Sequence, residues 1–246
     1  MGTSLTNEEY WIRSYGDAGF VEYEPDNDHF RLLFRYVDPE ALDSVIEVGS
    51  YPAPFLAALG RYGCELNGID FHPANATAVP AWLKACGYKV GSFFTQDFLE
   101  FSPHRKYDLA YSLGFIEHFT NFEEIILRQA SLVKPGGYIF LSTPNFAGSI
   151  QKWLHYLLDR SNLEKHYLPS MNPLRWAEAL ERQGFEVLFA GYYGNIGFWV
   201  DPVAKRSSAN RLVSKAITHL FWNIRKLSKA DSRHFSVFCG LVAIRR

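Results

Sequence analysis

Short apolar runs alternate with stretches of helical periodicity through the first two thirds of the chain, and few folds can bury both. The runs are too short for buried helices and lack a polar face. They therefore read as strands covered on both sides, which requires a parallel sheet wound with helices. Strands are expected at 44–48, 65–69, 90–94, 107–112 and 138–142. A first helix is expected within 26–38, where Phe30, Leu33, Phe34 and Val37 share one face behind the capping candidates Asp26, Asn27 and Asp28. Further helices are expected at 53–62, 75–87 and 121–133, the last stopped by Lys134-Pro135-Gly136-Gly137. Past the fifth strand come an aromatic-rich helix at 148–160 and a helix at 172–183 with Ser170 or Asn172 as cap. A strand at 185–190 opens after Gly184, and a final strand spans 236–244. The pattern contains seven strands and no internal repeat.

Composition narrows the function classes. Lys plus Arg number 25 against 26 Asp plus Glu, a net charge of -1, so no global positive field is available for a nucleic-acid backbone and a small-molecule partner is expected instead. Cys64, Cys86 and Cys239 lie far apart without a Cys-x-x-Cys pair, and read as reduced core fillers rather than a disulfide framework or zinc site. The polar N-terminal stretch lacks a signal-peptide pattern and no apolar run approaches the roughly 20 residues of a membrane span, so a cytoplasmic protein is expected.

The chemistry concentrates at strand ends. The first strand runs into Gly49-Ser50 and then a helix, which brings backbone N–H groups and a positive helix end to the sheet's carboxyl edge, where open α/β sheets bind ligands. The second strand ends at Asp70, twenty-one residues after Gly49, a position from which a carboxylate accepts both hydroxyls of a ribose. This pair alone signals a nucleoside-containing cofactor.

Further segments are Phe93-Phe94-Thr95-Gln96-Asp97-Phe98, Tyr107 to Phe119 with Ser112-Leu113-Gly114 and Glu117-His118, and Leu132 to Asn145 with Lys134-Pro135-Gly136-Gly137. In this order and spacing the chain resembles a class I S-adenosylmethionine-dependent methyltransferase, in particular the branch containing ubiquinone-biosynthesis O-methyltransferases. The resemblance covers roughly 30–191 and the last strand. It implies a seven-stranded, mostly parallel Rossmann-like methyltransferase sheet with the last strand antiparallel and helices on both faces. It also implies S-adenosylmethionine as cofactor. Glu47 would then face the cationic methionine end, Asp70 the ribose hydroxyls, and Asp97 the exocyclic adenine amine. The Phe98 N–H would meet a ring nitrogen, Phe71 could stack on adenine or simply pack in the core, and Ser112, Leu113 and Gly114 would lie beside the methyl group. Asp108, at the start of its strand, takes a capping role.

The chain departs from the family where a Gly-x-Gly-x-Gly turn is expected, because here it reads Gly49-Ser50-Tyr51-Pro52-Ala53. Tyr51 occupies a position that can demand positive φ, which is costly for a bulky side chain. Either the turn is reshaped with Tyr51 lining the pocket, the reading favoured by the intact Asp70 and Asp97, or the pocket is damaged. A hydroxyl acceptor would be helped by a base, for which His118 is the first candidate and His166 the second; the alternative for each is a shaping or backbone-bonding role. Neither has companion ligands at metal-binding spacing, so no metal is expected.

The expected organisation is a single domain, with a lid at 1–25 bearing Tyr10, Trp11, Tyr15, Phe20 and Tyr23, a core at 26–193, a helical insertion at 194–233 and the last strand at 234–246. Tyr192, Tyr193, Phe198 and Trp199 form a second aromatic cluster. In the insertion Val213, Ile217, Leu220, Ile224 and Leu227 share a helical face opposite Arg211, Lys215, His219, Trp222, Lys226 and Lys229. That face is expected to pack on the core or a second subunit; the alternative is membrane-surface contact through 211–229. The expected function is methyl transfer to a hydroxyl of a metabolite, sugar or lipid-linked glycan. The rivals are a noncatalytic methyltransferase-fold binding protein or partner subunit, and a nicotinamide-dependent oxidoreductase, which would want the missing glycines after Gly49.

Overall fold

A computed structural model describes residues 4–6, 8–16, 19–201, 204 and 206–246. Helix α1 (Glu8–Tyr15) precedes α2 (Asp28–Leu33), which starts where the Asn27 side chain accepts the Phe30 N–H at 3.0 Å. The core then alternates β1 (Ser44–Val48), α3 (Pro54–Gly60), β2 (Glu65–Asp70), α4 (Ala78–Ala85), β3 (Val90–Thr95), β4 (Tyr107–Leu113), α5 (Phe122–Ser131) and β5 (Val133–Pro144). After it come α6 (Ser149–Leu158), α7 (Arg160–Leu163), α8 (Pro173–Glu181), β6 (Phe185–Ile196), α9 (Ser208–Leu227) and β7 (Ser236–Arg245).

The strands form one seven-stranded sheet in the order β3-β2-β1-β4-β5-β7-β6. Pairings from β3 to β5 are parallel, and β7 runs antiparallel to both β5 and β6. Every residue of β1 is buried, as a central strand covered on both faces must be. One core layer packs Ile125, Trp176 and Leu180 against the sheet; the other packs Leu33, Leu56 and Leu83. The chain order reverses beside β1 and β4, which opens a crevice at their carboxyl ends.

Four expectations need correction. First, the segment 134–137 continues β5 instead of making a free turn. It bulges where Tyr107 pairs with Val133 but Leu109 with Tyr138, and a Cβ on Gly137 would lie 2.9 Å from the Asp108 carbonyl, so only glycine fits. Second, α2 ends at Leu33 and α4 begins only at Ala78, after a short 3-10 turn over Pro73–Ala76. Third, Cys86 is exposed, whereas Cys64 and Cys239 are buried.

The fourth concerns α9. Of its two expected partners, the core or a second subunit, the core leaves most of the apolar stripe uncovered: Leu220 is 54% and Leu227 89% exposed, and of the five stripe residues Ile217 alone is turned inward. Polar anchors set the rotation instead. Arg225 pairs with Asp28 and donates to the Gly194 carbonyl at 2.9 Å, and the Thr218 hydroxyl donates to the Phe198 carbonyl at 2.9 Å. These turn Ser214, Ile217, Phe221 and Arg225 inward. Among the described residues no helix is long and apolar enough to cross a membrane.

Candidate functional site

The carboxyl ends of β1, β2 and β4 and the loop after β3 open onto one cavity of about 280 Å³, covered from above by α1. This is near the lower end of the roughly 300–1,000 Å³ usual for small-molecule sites. Gly49 takes φ +77°, and a Cβ there would meet the Phe115 ring at 2.9 Å, so the first glycine of the turn is needed on both grounds. Beyond it the strain falls on Ala53 at φ 67°, not on Tyr51. Tyr51 is buried and lines the cavity, its ring stacked on His72 with centroids 3.7 Å apart, while its N–H donates to Asp70 Oδ2 at 3.1 Å.

Asp70 ends β2 inside this cavity. Its Oδ1 accepts the His72 N–H at 2.8 Å, so two backbone donors hold the carboxylate with its remaining lone pairs toward the cavity. Burial pushes its carboxyl up to about 6, against the lowering effect of those two N–H groups. Phe71, Asp97, Phe98, Leu113 and Gly114 line the same space. Asp97 is exposed and accepts the Leu99 N–H at 2.9 Å through Oδ1.

The remaining candidates sit behind this lining. Glu47 is buried and accepts the Tyr111 hydroxyl at 3.0 Å; burial holds its carboxyl well above the usual range. Ser50 donates to the Asn75 amide oxygen at 2.8 Å, bracing the turn against the segment after β2. Ser112 is fully buried in β4. Asp108, at the far end of β4, accepts the Ser44 N–H at 2.8 Å and the Lys134 ammonium at 3.0 Å.

Sequence spacing offered no companions for the two histidines, but folding supplies them. His118 lines the cavity, and its ring lies 4.8 Å from that of His166, which arrives from the loop after α7. Glu117 joins them: one ligand-type atom from each of Glu117, His118 and His166 lies within 4.8 Å of the others. Burial pushes Glu117 up to about 8 and holds His118 and His166 down to about 4 and about 3. Above the cluster α1 sets Trp11 edge-on to His118 at 4.9 Å and Tyr15 edge-on to Tyr51 at 6.0 Å. Tyr15 is 38% exposed, yet its phenol is pushed upward, first by burial of the hydroxyl and then by Asp70, Glu47 and other nearby acids. His72 and Glu117 are the members that sequence reasoning did not single out. Glu117 is signalled only by its adjacency to His118, and His72 by nothing in the sequence.

The model of a family described as a methyltransferase domain matches residues 20–189. The ubiquinone biosynthesis O-methyltransferase of Dechloromonas aromatica is 24% identical over 217 residues, 83% of this chain and 89% of that protein. That of Shewanella pealeana is 26% identical over 129 residues, 50% of this chain and 55% of that protein, so the chain spans about half the length of several such relatives. Among solved structures, a SAM-dependent methyltransferase from Archaeoglobus fulgidus superposes with a TM-score of 0.55 at 19% identity, over 87% of this chain and 90% of that one. The N-methyltransferase NodS from Bradyrhizobium japonicum, solved with S-adenosyl-L-homocysteine, gives 0.52 at 14% identity over 98% and 94%. These structures share its fold.

Proposed function

The chain belongs to the methyltransferase-domain family, and on that premise we propose that it moves a methyl group from S-adenosylmethionine to a hydroxyl oxygen of a small metabolite, sugar or lipid-linked glycan. The observation that carries this reading is the Asp70 carboxylate, held by two backbone N–H groups at the end of β2 and directed into the cavity beside Gly49. The lining suits the nucleoside end of the cofactor: two carboxylates, Asp70 and Asp97, among aromatic walls match ribose hydroxyls and an exocyclic amine.

When bound, the cofactor supplies a methyl already activated by positive sulfur. Asp70 accepts the ribose hydroxyls, Asp97 the exocyclic amine, and Phe98 offers its N–H to the ring, with Phe71 and the Tyr51–His72 stack as apolar faces. Gly49 lets the backbone come close, and Leu113 and Gly114 flank the transfer position. Glu47, Ser50 and Ser112 support the site from behind, Glu47 through Tyr111 and Ser50 through Asn75. His118, with His166 behind it, assists loss of the acceptor's proton. Trp11 and Tyr15 exclude water, so that positioning and desolvation supply most of the rate.

The test is to incubate the full chain with S-adenosylmethionine and a panel of catechols, sugars and polyprenyl-linked glycans and to follow S-adenosylhomocysteine by mass spectrometry. Acceptor-dependent product that disappears in Asp70→Ala supports the reading. Cofactor binding without turnover on any hydroxylated acceptor would favour a noncatalytic protein.

A further inference from the structure

Between Asp201 and Asp231 the chain carries seven Lys and Arg residues and no Asp or Glu, although its overall net charge is -1. Folding gathers part of that charge around one groove. Helix α9 and the segment before it enclose about 420 Å³, a space that shares no lining residue with the cavity of Asp70. Arg211, Lys215 and His219 stand one helical turn apart along its wall, with Ser214 and Trp222 in the neighbouring row. Like charges at i, i+4 destabilise a helix unless a counter-charge lies near them, and no carboxylate is among the described residues that line this groove.

Two buried donors in the lining lack acceptors. Ser214 is 4% exposed, and its hydroxyl has no hydrogen-bond partner among the described residues. Arg206 exposes 13% of its side chain, and its Nε and Nη1 have no hydrogen-bond partner among the described residues either. Its ion-pair partner, Asp159 Oδ1, stands 3.7 Å from Nη1, too far for a hydrogen bond. A buried donor without an acceptor is costly, and phosphate oxygens suit both a hydroxyl and the planar fork of a guanidinium.

We propose that this groove binds an organic diphosphate, with its phosphates on Arg206, Ser214 and Lys215 and its ring on Trp222. Ser214 and Trp222 are eight residues apart, about 12 Å along a helix, a span that suits an extended nucleoside or sugar diphosphate. Trp222 is 59% exposed and offers an aromatic face on which such a ring stacks. Arg211 and His219 extend the basic wall to either side of Lys215. The site is independent of the methyl-transfer reading, since it uses none of the residues assigned to the cofactor or the acceptor.

The experiment is calorimetric titration of the full chain with inorganic pyrophosphate and with uridine diphosphate, in about 0.15 M salt so that exposed charges are screened, with sulfate as the ionic control. Each probe should bind at one site, uridine diphosphate the more tightly. R206A and S214A should each weaken both probes at least tenfold, as loss of a hydrogen bond to a charged group does. S214A removes only a hydroxyl from a helix, so it keeps the test decisive if R206A fails to fold. W222A should weaken uridine diphosphate at least fivefold and leave pyrophosphate unchanged. No saturable binding of either probe, binding matched by sulfate, or binding unchanged in both R206A and S214A overturns the assignment. So does uridine diphosphate binding that is lost in Asp70→Ala, which places the probe in the other cavity. Binding to phosphatidylglycerol vesicles without binding of either soluble probe overturns it too, because the basic groove then meets a lipid surface and not a discrete ligand.

Discussion

The raised carboxyl of Asp70 makes cofactor binding pH-dependent in a way that can be calculated. With its carboxyl at about 6 in the unliganded fold, the side chain must lose a proton before it can accept two ribose hydroxyls. The ionised fraction is about 0.97 at pH 7.5 and about 0.09 at pH 5.0, so the Kd for S-adenosylhomocysteine should rise roughly elevenfold, about 1.4 kcal/mol, across that range. The stability sign is opposite. A carboxyl raised from 3.8 to about 6 by folding favours the fold below pH 3.8, and that contribution is lost as pH climbs through 6. The thermal shift produced by the ligand should therefore grow with pH. Asp70→Asn removes the titrating group, so its binding should be at least tenfold weaker than wild type at pH 7.5 and free of the wild-type slope. Calorimetric titrations of both proteins between pH 5.0 and 7.5 read this out. A flat wild-type profile, or the same slope in Asp70→Asn, would mean that Asp70 does not control binding through its charge.

Four further outcomes follow from the same contacts. His118→Ala should lower the transfer rate by about 10²–10⁴ with cofactor affinity unchanged, as separated by steady-state kinetics and calorimetry. Tyr51→Ala, which removes the face stacked on His72, should weaken S-adenosylhomocysteine by about 0.5–1.5 kcal/mol in a calorimetric titration; tighter binding would mean that Tyr51 plugs the cavity. Trp176→Ala should cost about 3–5 kcal/mol of stability in denaturant titration, because Trp176 is fully buried and its indole N–H donates to the Ser170 carbonyl at 2.6 Å. Leu220→Lys should stay within about 0.5 kcal/mol of wild type in the same assay, since Leu220 faces solvent.

The sheet was legible because its strands announce themselves by burial. A run such as Ser44–Val48 has no polar face to spare, and the apolar pattern and the strand share the same bounds. Asp70, at the end of such a strand, inherits that legibility. Elsewhere tertiary contacts outweigh local pattern. Proline and two glycines at 135–137 look like a turn, yet the close approach to the Asp108 carbonyl makes them a bulge in β5. The apolar stripe of α9 looks like a packing face, but Arg225 and Thr218 fix the helix with Val213, Leu220, Ile224 and Leu227 of that stripe turned outward. Glu47 and Ser50 sit next to the ligand-facing turn in sequence, but Tyr111 and Asn75 draw their side chains behind it. His118 and His166 are forty-eight residues apart, and only the return of the chain after α7 brings their rings together.

On the proposed function, the crevice at the ends of β1, β2 and β4 holds the methyl donor through Asp70. Calorimetric titration of S-adenosylhomocysteine into wild-type and Asp70→Ala protein at pH 7.5, with NADH as control, tests it most directly. One site of micromolar affinity is expected in wild type, none in the variant, and no heat from NADH. Folded wild-type protein that ignores S-adenosylhomocysteine, or binds NADH in its place, would contradict it.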